Sequence, residues 1–337
     1  MSPDIRLSVL DTAPAWHGAT TTEALRNSID LASRVDDLGY HRYWLAEHHN
    51  TPALSTSSPA VLIGRIADAT SRMRVGSGGV MLPNHAPLVV AEQFGTLAAL
   101  QPDRIDLGVG RAPGTDPRTA RAIRGAAAAR SGADFPEQVG ELLGYFPSPK
   151  GDPARSPILA VPAMEHAVPV WVLGSSGHSA RLAGQLGLPY AYAHHFNPHG
   201  TADAVSLYHA AFEPSEYLSE PYAMATVVGF VADTDEHAHW LAGPLKAITV
   251  LSMRGHNPLF PTPEAAAELV FSAEEQNVIR ALYGPQLIGS PDTVREHLAA
   301  LVAATGVDEV MVTTAVHDHA QRVRSYELLA DVAAPAH

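Results

Sequence analysis

The feature that most constrains this chain is the regular alternation of short apolar runs, rich in β-branched residues, with longer segments of helical period. Such alternation builds a parallel sheet with crossover helices. Eight runs read as strands: 5–10, 42–48, 73–82, 105–110, 170–173, 190–196, 223–232 and 309–314. Between the first two, Thr20 and Glu23 make a capping box ahead of Leu25, Ile29, Ala32 and Val35, and Gly39 ends that helix. Further helices are predicted over 58–70, 87–100, from Ser179, over 201–212, after Ser290-Pro291 and at the end of the chain. Eight near-equal units predict an α/β fold, a single (β/α)8 TIM barrel spanning 1–337 as one domain, rather than a doubly wound sheet.

Two stretches break the rhythm. Residues 111–168, after strand four, hold an alanine-rich helical stretch near 117–130 and the turn-forming SPKGDPARSP. Residues 252–289, after strand seven, include RGHNPLFPTP. Both follow strands, which places them on the C-terminal face where barrel active sites are built. The second reads as a lid or as surface decoration.

Composition narrows the chemistry. Twenty-two basic against 35 acidic residues give a net charge of −13, which disfavours nucleic acid and anionic membrane as partners. With no cysteine there is no disulfide framework, thiolate nucleophile or iron–sulfur cluster. Lysine occurs only at Lys150 and Lys246, and alanine is abundant, a pattern of GC-rich codons rather than of phosphate recognition. The opening MSPDIRLSVLD lacks a basic region followed by an apolar one, and no apolar run approaches a membrane span, so a cytoplasmic protein is expected.

Four strand ends carry candidate chemistry. Glu47, His48 and His49 close strand two; adjacent histidines on a strand point to opposite faces, so one of them reads as a general base or hydrogen-bond donor, or as a packed strand-end histidine. Strand three holds Gly76, Gly78 and Gly79, which fit a flat ring lying close to the backbone or a β-bulge. Strand four ends in GVGRAPG, which fails the dinucleotide fingerprint because Pro113 takes the third glycine position. Arg111 there suits a phosphate or a structural salt bridge. Strand five runs into LGSSGHS, where Ser175, Ser176 and Ser179 at a helix start suit an anion or an ordinary N-cap. His194-His195 and His317-Asp318-His319 can be drawn as a metal cluster, but with 18 histidines chance neighbours are expected and no metal is assigned.

In this order, WLAEHHN (44–50), RVGSGGVMLPNHAPLVVAEQF (74–94), RIDLGVGRAPGTD (104–116), VWVLGSS (170–176) and TGVDEVMV (305–312) resemble the bacterial-luciferase-like flavin monooxygenase family, in particular its single-chain, non-luminescent branch. The resemblance implies a barrel that binds FMN, taken in reduced form from a separate NAD(P)H:flavin reductase. With O2 it would form a C4a-peroxyflavin that oxygenates a small organic substrate by hydroxylation, epoxidation or Baeyer–Villiger oxidation. It assigns His48, with Glu47 beside it, to catalysis. A non-proline cis peptide under the flavin would fall at Gly78–Gly79, Arg111 would bind the phosphate with Ser175, Ser176 and Ser179, and His194 would stand near the ring. The luciferase light-emitting subunit has glutamate in place of Ser175, tryptophan in place of His194 and a reactive cysteine in place of Gly110, departures that speak against light emission.

The composition is typical of actinobacteria, and the sequence is similar to tailoring oxygenases of aromatic polyketide pathways. A homodimer is implied, with the apolar Leu88, Val89, Phe94 and Leu97 either at the interface or covering a strand. Competing readings are a deazaflavin-dependent dehydrogenase, a non-catalytic flavin-binding barrel and a metal-dependent hydrolase.

Overall fold

A computed structural model describes residues 5–125 and 134–333. Nine parallel strands form one sheet: β1 (Arg6–Asp11), β2 (Arg42–Leu45), β3 (Arg74–Met81), β4 (Ile105–Gly110), β5 (Val170–Gly174), β6 (Tyr190–Tyr192), β7 (Ala223–Val231), β8 (Leu287–Gly289) and β9 (Glu309–Thr313). β1 to β7 pair in sequence, β7 pairs with β9 and β9 with β1, so eight strands close a (β/α)8 barrel. The extra strand, β8, pairs only with the outer half of β7, at Gly229–Val231. It lies in the segment expected to be an excursion.

Strand parity separates two cores. Side chains alternate across a strand, so every second residue enters the barrel. Leu10, Trp44, Ala46, Trp171, Ala191, Met224 and Met311 meet inside. Their neighbours, such as Val9, Tyr43, Leu45, Val172, Tyr190 and Val310, face the surrounding helices in the larger core. Near its N-terminal end the barrel is closed by charge. Arg42 reaches Asp106 at 2.6 Å and Glu309 at 3.1 Å, Arg74 reaches Asp106 at 2.7 Å, and the Tyr222 hydroxyl donates to Glu309 at 2.8 Å. The Arg42 guanidinium also lies 4.7 Å from the centre of the Trp171 ring. Burial alone would push the Asp106 carboxyl up, but Arg42 and Arg74 hold it below the ordinary range.

The helices begin and end for local reasons. α1 (Thr21–Asp37) has the expected capping box at Thr20 and Glu23, and Gly39 follows with φ of +83°. α2 (Pro59–Ala69) and α3 (Pro87–Leu100) start on prolines, whose missing N–H has no helical partner there anyway. In α3, Phe94 and Leu97 are buried against the chain's own core, so the apolar face covers the barrel; Val89, and Val61 on α2, remain exposed. The excursion after β4 holds α4 (Pro117–Arg124) and α5 (Phe135–Gly144); residues 126–130 of the expected alanine-rich helix lie outside the described residues. α6 (Gly177–Gln185) and α7 (Thr201–Ala211) follow β5 and β6.

After β7 come α8 (Asp235–Leu241), α9 (Gly243–Met253), α10 (Pro263–Ala267) and α11 (Ala273–Tyr283), so this excursion is largely helical. It is tied to the loop after β1: Trp16 and Phe260 form a backbone bridge and stack with ring centres 4.8 Å apart. α12 (Pro291–Thr305) is capped by Ser290, and α13 (His319–Ala333) closes the chain. No helix among the described residues is long and apolar enough to cross a membrane.

Candidate functional site

At the C-terminal mouth of the barrel, strand ends, loops and both excursions enclose a cavity of about 1390 Å³. Pockets that take one drug-sized ligand run to about 300–1,000 Å³, so this one has room for two occupants. His48, Gly78, Gly79, Arg111, Ser175, Ser176 and Ser179 all line it; Glu47 and His194 do not.

β2 ends at Leu45, earlier than expected, and Ala46–His49 run on as loop. Parity nevertheless persists. Trp44 and Ala46 enter the barrel, His48 follows them into the cavity, and Glu47 faces the opposite way. Burial pushes the His48 imidazole below its ordinary pKa, against the pull of the Glu47 charge, so the ring is neutral at neutral pH.

Glu47 is 1 % exposed and sits in a cluster of its own. One carboxylate oxygen meets His49 Nε2 and His85 Nε2, each at 2.8 Å, and the other accepts the Met81 N–H at 3.0 Å. Burial opposes its charge, but these partners hold its pKa below 4.5. Glu47 does not line the cavity; its bonds are to His49, His85 and Met81. These bonds tie the His48 loop to the end of β3 and to His85. The same loop is stitched to the excursion after β4, where the His49 N–H donates to Gly114 O at 3.3 Å and the Thr115 hydroxyl to His49 O at 2.9 Å. Gly114 has φ of +63°, and a Cβ there would stand 2.8 Å from the Glu47 carbonyl, so only glycine fits. His85 was not singled out from sequence.

All three strand-three glycines make room for protein atoms: a Cβ would lie 2.5 Å from Asp106 O on Gly76, 2.6 Å from Leu10 Cδ1 on Gly78 and 2.7 Å from Gly108 O on Gly79. Gly78 and Gly79 flank a cis peptide, fall where the β3–β4 register shifts between Ser77 and Val80, and line the cavity. The irregularity and the bare backbone wall coincide.

Arg111 is exposed, lines the cavity and makes no ion pair among the described residues. Among the described residues, then, no salt bridge accounts for it. Nearby, Ser176 is the N-cap of α6, but its hydroxyl makes no cap hydrogen bond, so ordinary capping does not account for it. Ser179 is tucked in, donating to Ser176 O at 2.9 Å. A cation and an uncapped helix N-terminus that line one cavity are both groups that attract an anion.

His194 and His195 are placed differently. β6 ends at Tyr192, and the buried His194 ring bonds Thr201 Oγ1 at 2.8 Å and the Pro285 carbonyl at 3.2 Å, away from the cavity. The neighbouring His195 lines the cavity instead. Its backbone N–H and its Nδ1–H both donate to Thr226 O, at 2.9 and 3.0 Å. The carbonyl can only accept, so the proton is on Nδ1 and Nε2 presents a lone pair. Burial pushes the His195 pKa down to about 4. Parity from the inward Ala191 was the signal that pointed to 195. His317 packs edge-on against Trp16 and His319 pairs with Asp30.

Comparison with known proteins gives a consistent result. The family described as luciferase-like monooxygenase matches residues 5–309. A luciferase-like monooxygenase of Escherichia coli K12 is 43% identical over 330 residues, covering 97% of this chain and 97% of that protein. The solved structure of apo-MsnO8 is 37% identical with a TM-score of 0.86, over 97% of this chain and 98% of that one. The oxygenating constituent of 3,6-diketocamphane monooxygenase from Pseudomonas putida, a type II Baeyer–Villiger monooxygenase solved with FMN, is 21% identical with a TM-score of 0.68 over 99% of each chain, and shares the fold.

Proposed function

This chain belongs to the luciferase-like monooxygenase family and is a flavin-dependent monooxygenase, and from that premise we propose that it is the oxygenating half of a two-component system, using reduced FMN from a separate NAD(P)H:flavin reductase and O2 to oxygenate a small organic substrate. The observation that carries this reading is one cavity lined both by Arg111 and the uncapped start of α6 and by apolar side chains, with the Gly78–Gly79 backbone in its wall. Reduced FMN, when bound, supplies the two electrons that activate O2.

The residues present fit that cofactor. Arg111, with no ion-pair partner among the described residues, and the uncapped start of α6 with Ser175, Ser176 and Ser179 would hold the phosphate. The Gly78–Gly79 backbone in the cavity wall would lie against the ring. His48, neutral and turned into the cavity, can hold or pass on a proton there. Glu47 positions that loop, and the excursion latched through Phe260 excludes water. We also place the protein in the cytoplasm, as a homodimer through α2 and α3, where Val61 and Val89 are exposed.

Anaerobic titration with reduced FMN, followed by mixing with oxygenated buffer, tests the reading. Tight binding of reduced FMN that weakens roughly 10- to 150-fold in Arg111→Ala is expected, the worth of a charge-assisted hydrogen bond. His48→Ala should keep the binding and change the course of reoxidation. Binding of a deazaflavin in place of FMN would replace monooxygenation by hydride transfer. Flavin binding without substrate-dependent oxygen uptake would leave a binding protein.

A further inference from the structure

The two ends of the cavity differ in kind. All its charged lining side chains among the described residues are arginines, Arg111, Arg121 and Arg124, and all come from the excursion after β4. No carboxylate and no lysine lines it among those residues. The end next to β7 and β9 is walled by Val228, Leu245, Ile248, Phe260, Leu282 and Ala315. A charged group brought against that wall would have no partner, and burying an unpaired charge is strongly unfavourable.

Thr226, Thr249, Ser252, Tyr283 and Thr313 bring hydroxyls to that end, and two of these are committed to each other or to the backbone. Thr249 donates to Leu245 O at 2.9 Å, so the 2.6 Å contact between Thr249 Oγ1 and the Tyr283 hydroxyl must use the tyrosine proton. Tyr283 therefore shows the cavity its ring and no free donor. The polar feature with a fixed direction is His195, whose Nδ1–H is locked on Thr226 O and whose Nε2 is left to accept. Its ring is braced by Phe196, with ring centres 4.0 Å apart.

We propose that the β7–β9 end of the cavity is a chamber for an uncharged, largely apolar molecule bearing a hydroxyl or N–H group, of the phenol or alcohol class, whose hydrogen His195 Nε2 accepts. This rests on the function proposed above only in that the molecule is then the substrate. The walls select by exclusion, since a carboxylate or ammonium group loses its water and gains nothing. His195 selects by direction. A neutral ligand that fills the chamber without a donor leaves the Nε2 lone pair unpaired.

Calorimetric titration of the flavin-free protein with 1-naphthol, 1-methoxynaphthalene and 1-naphthoate tests this, because the three share one skeleton. Naphthol should bind about 3- to 10-fold more tightly than the ether, the worth of one neutral hydrogen bond, and at least about 10-fold more tightly than naphthoate. His195→Phe should bring the naphthol-to-ether ratio to about one while the ether's own affinity holds. Ile248→Arg should admit naphthoate, and Leu245→Trp, which fills the chamber, should weaken all three. The Ile248 and Leu245 variants keep the test open if His195→Phe does not fold.

A naphthoate signal abolished by Arg111→Ala belongs to the arginine end and leaves the proposal standing. Naphthoate binding as tight as naphthol and indifferent to Arg111→Ala overturns it. So does a wild-type naphthol-to-ether ratio of one, or no binding of any of the three. No flavin is present, so these outcomes are separate from failure to bind reduced FMN.

Discussion

Glu47→Ala separates a residue that positions the site from one that takes part in the chemistry. In the native protein the carboxylate satisfies three donors: the Met81 N–H and the Nε2 atoms of His49 and His85. Without it the Met81 N–H is unpaired beside the barrel, at a cost of about 1–3 kcal/mol. The two imidazoles, 18% and 32% exposed, can turn to water and add about 1 kcal/mol between them. The sum, about 2–4 kcal/mol, is read as a lower urea midpoint at unchanged slope. Glu47→Gln keeps one acceptor oxygen and should lose about half as much.

The pH dependence has a definite sign. The Glu47 pKa is lowered in the folded protein, so its stabilisation is complete above its unfolded value of about 4.5 and is lost as pH falls through the folded value. The wild-type and Glu47→Gln stabilities must therefore converge on the acid side of pH 4.5. If Glu47→Ala unfolds within about 0.5 kcal/mol of wild type, yet loses turnover with reduced-FMN affinity intact, the positioning argument is wrong and Glu47 reaches the reacting atoms.

Other perturbations follow from the same geometry. Asp106→Ala strips Arg42 and Arg74 of a shared buried counter-ion and should lower stability by about 3–5 kcal/mol in urea unfolding; a loss below about 1 kcal/mol would mean the barrel floor rehydrates freely. Gly114→Ala faces both the +63° φ and the Glu47 carbonyl, so it should cost about 1–3 kcal/mol and weaken reduced-FMN binding as the loop shifts. His195 titrates near pH 4 in the folded protein against 6.5 unfolded. It thus contributes up to about 3.4 kcal/mol, present in full above pH 6.5 and lost as pH falls toward 4. His195→Phe should flatten that part of the stability profile, and an unchanged profile would rule the assignment out.

Much of this was legible because period two and period 3.6 leave different marks on a sequence. The eight barrel strands, the Thr20–Glu23 capping box and the Pro87 helix start are local signals, and each held. β8 was missed because three residues, Leu287–Gly289, carry no period at all; only the outer half of β7 makes them a strand. Glu47 and His48 were grouped because they are adjacent in sequence, although parity from Trp44 already sends them to opposite faces. The same count from Ala191 would have chosen His195 over His194. His85 was beyond reach from sequence, since its partner lies 38 residues away and only the folded β2–β3 pair brings the two together. The apolar end of the cavity is likewise a tertiary product of α9 and α11, whose lining residues repeat no pattern a linear reading can isolate.

The ionic floor made by Arg42, Arg74, Asp106 and Glu309 has a kinetic consequence. It turns the barrel into a blind shaft, so whatever enters by the C-terminal mouth must leave by it. Two molecules sharing such a shaft share one exit, so where one lies behind the other it can leave only second. Turnover should then follow a compulsory order, and the compound that sits nearer the doorway should inhibit, in excess, by trapping the one behind it.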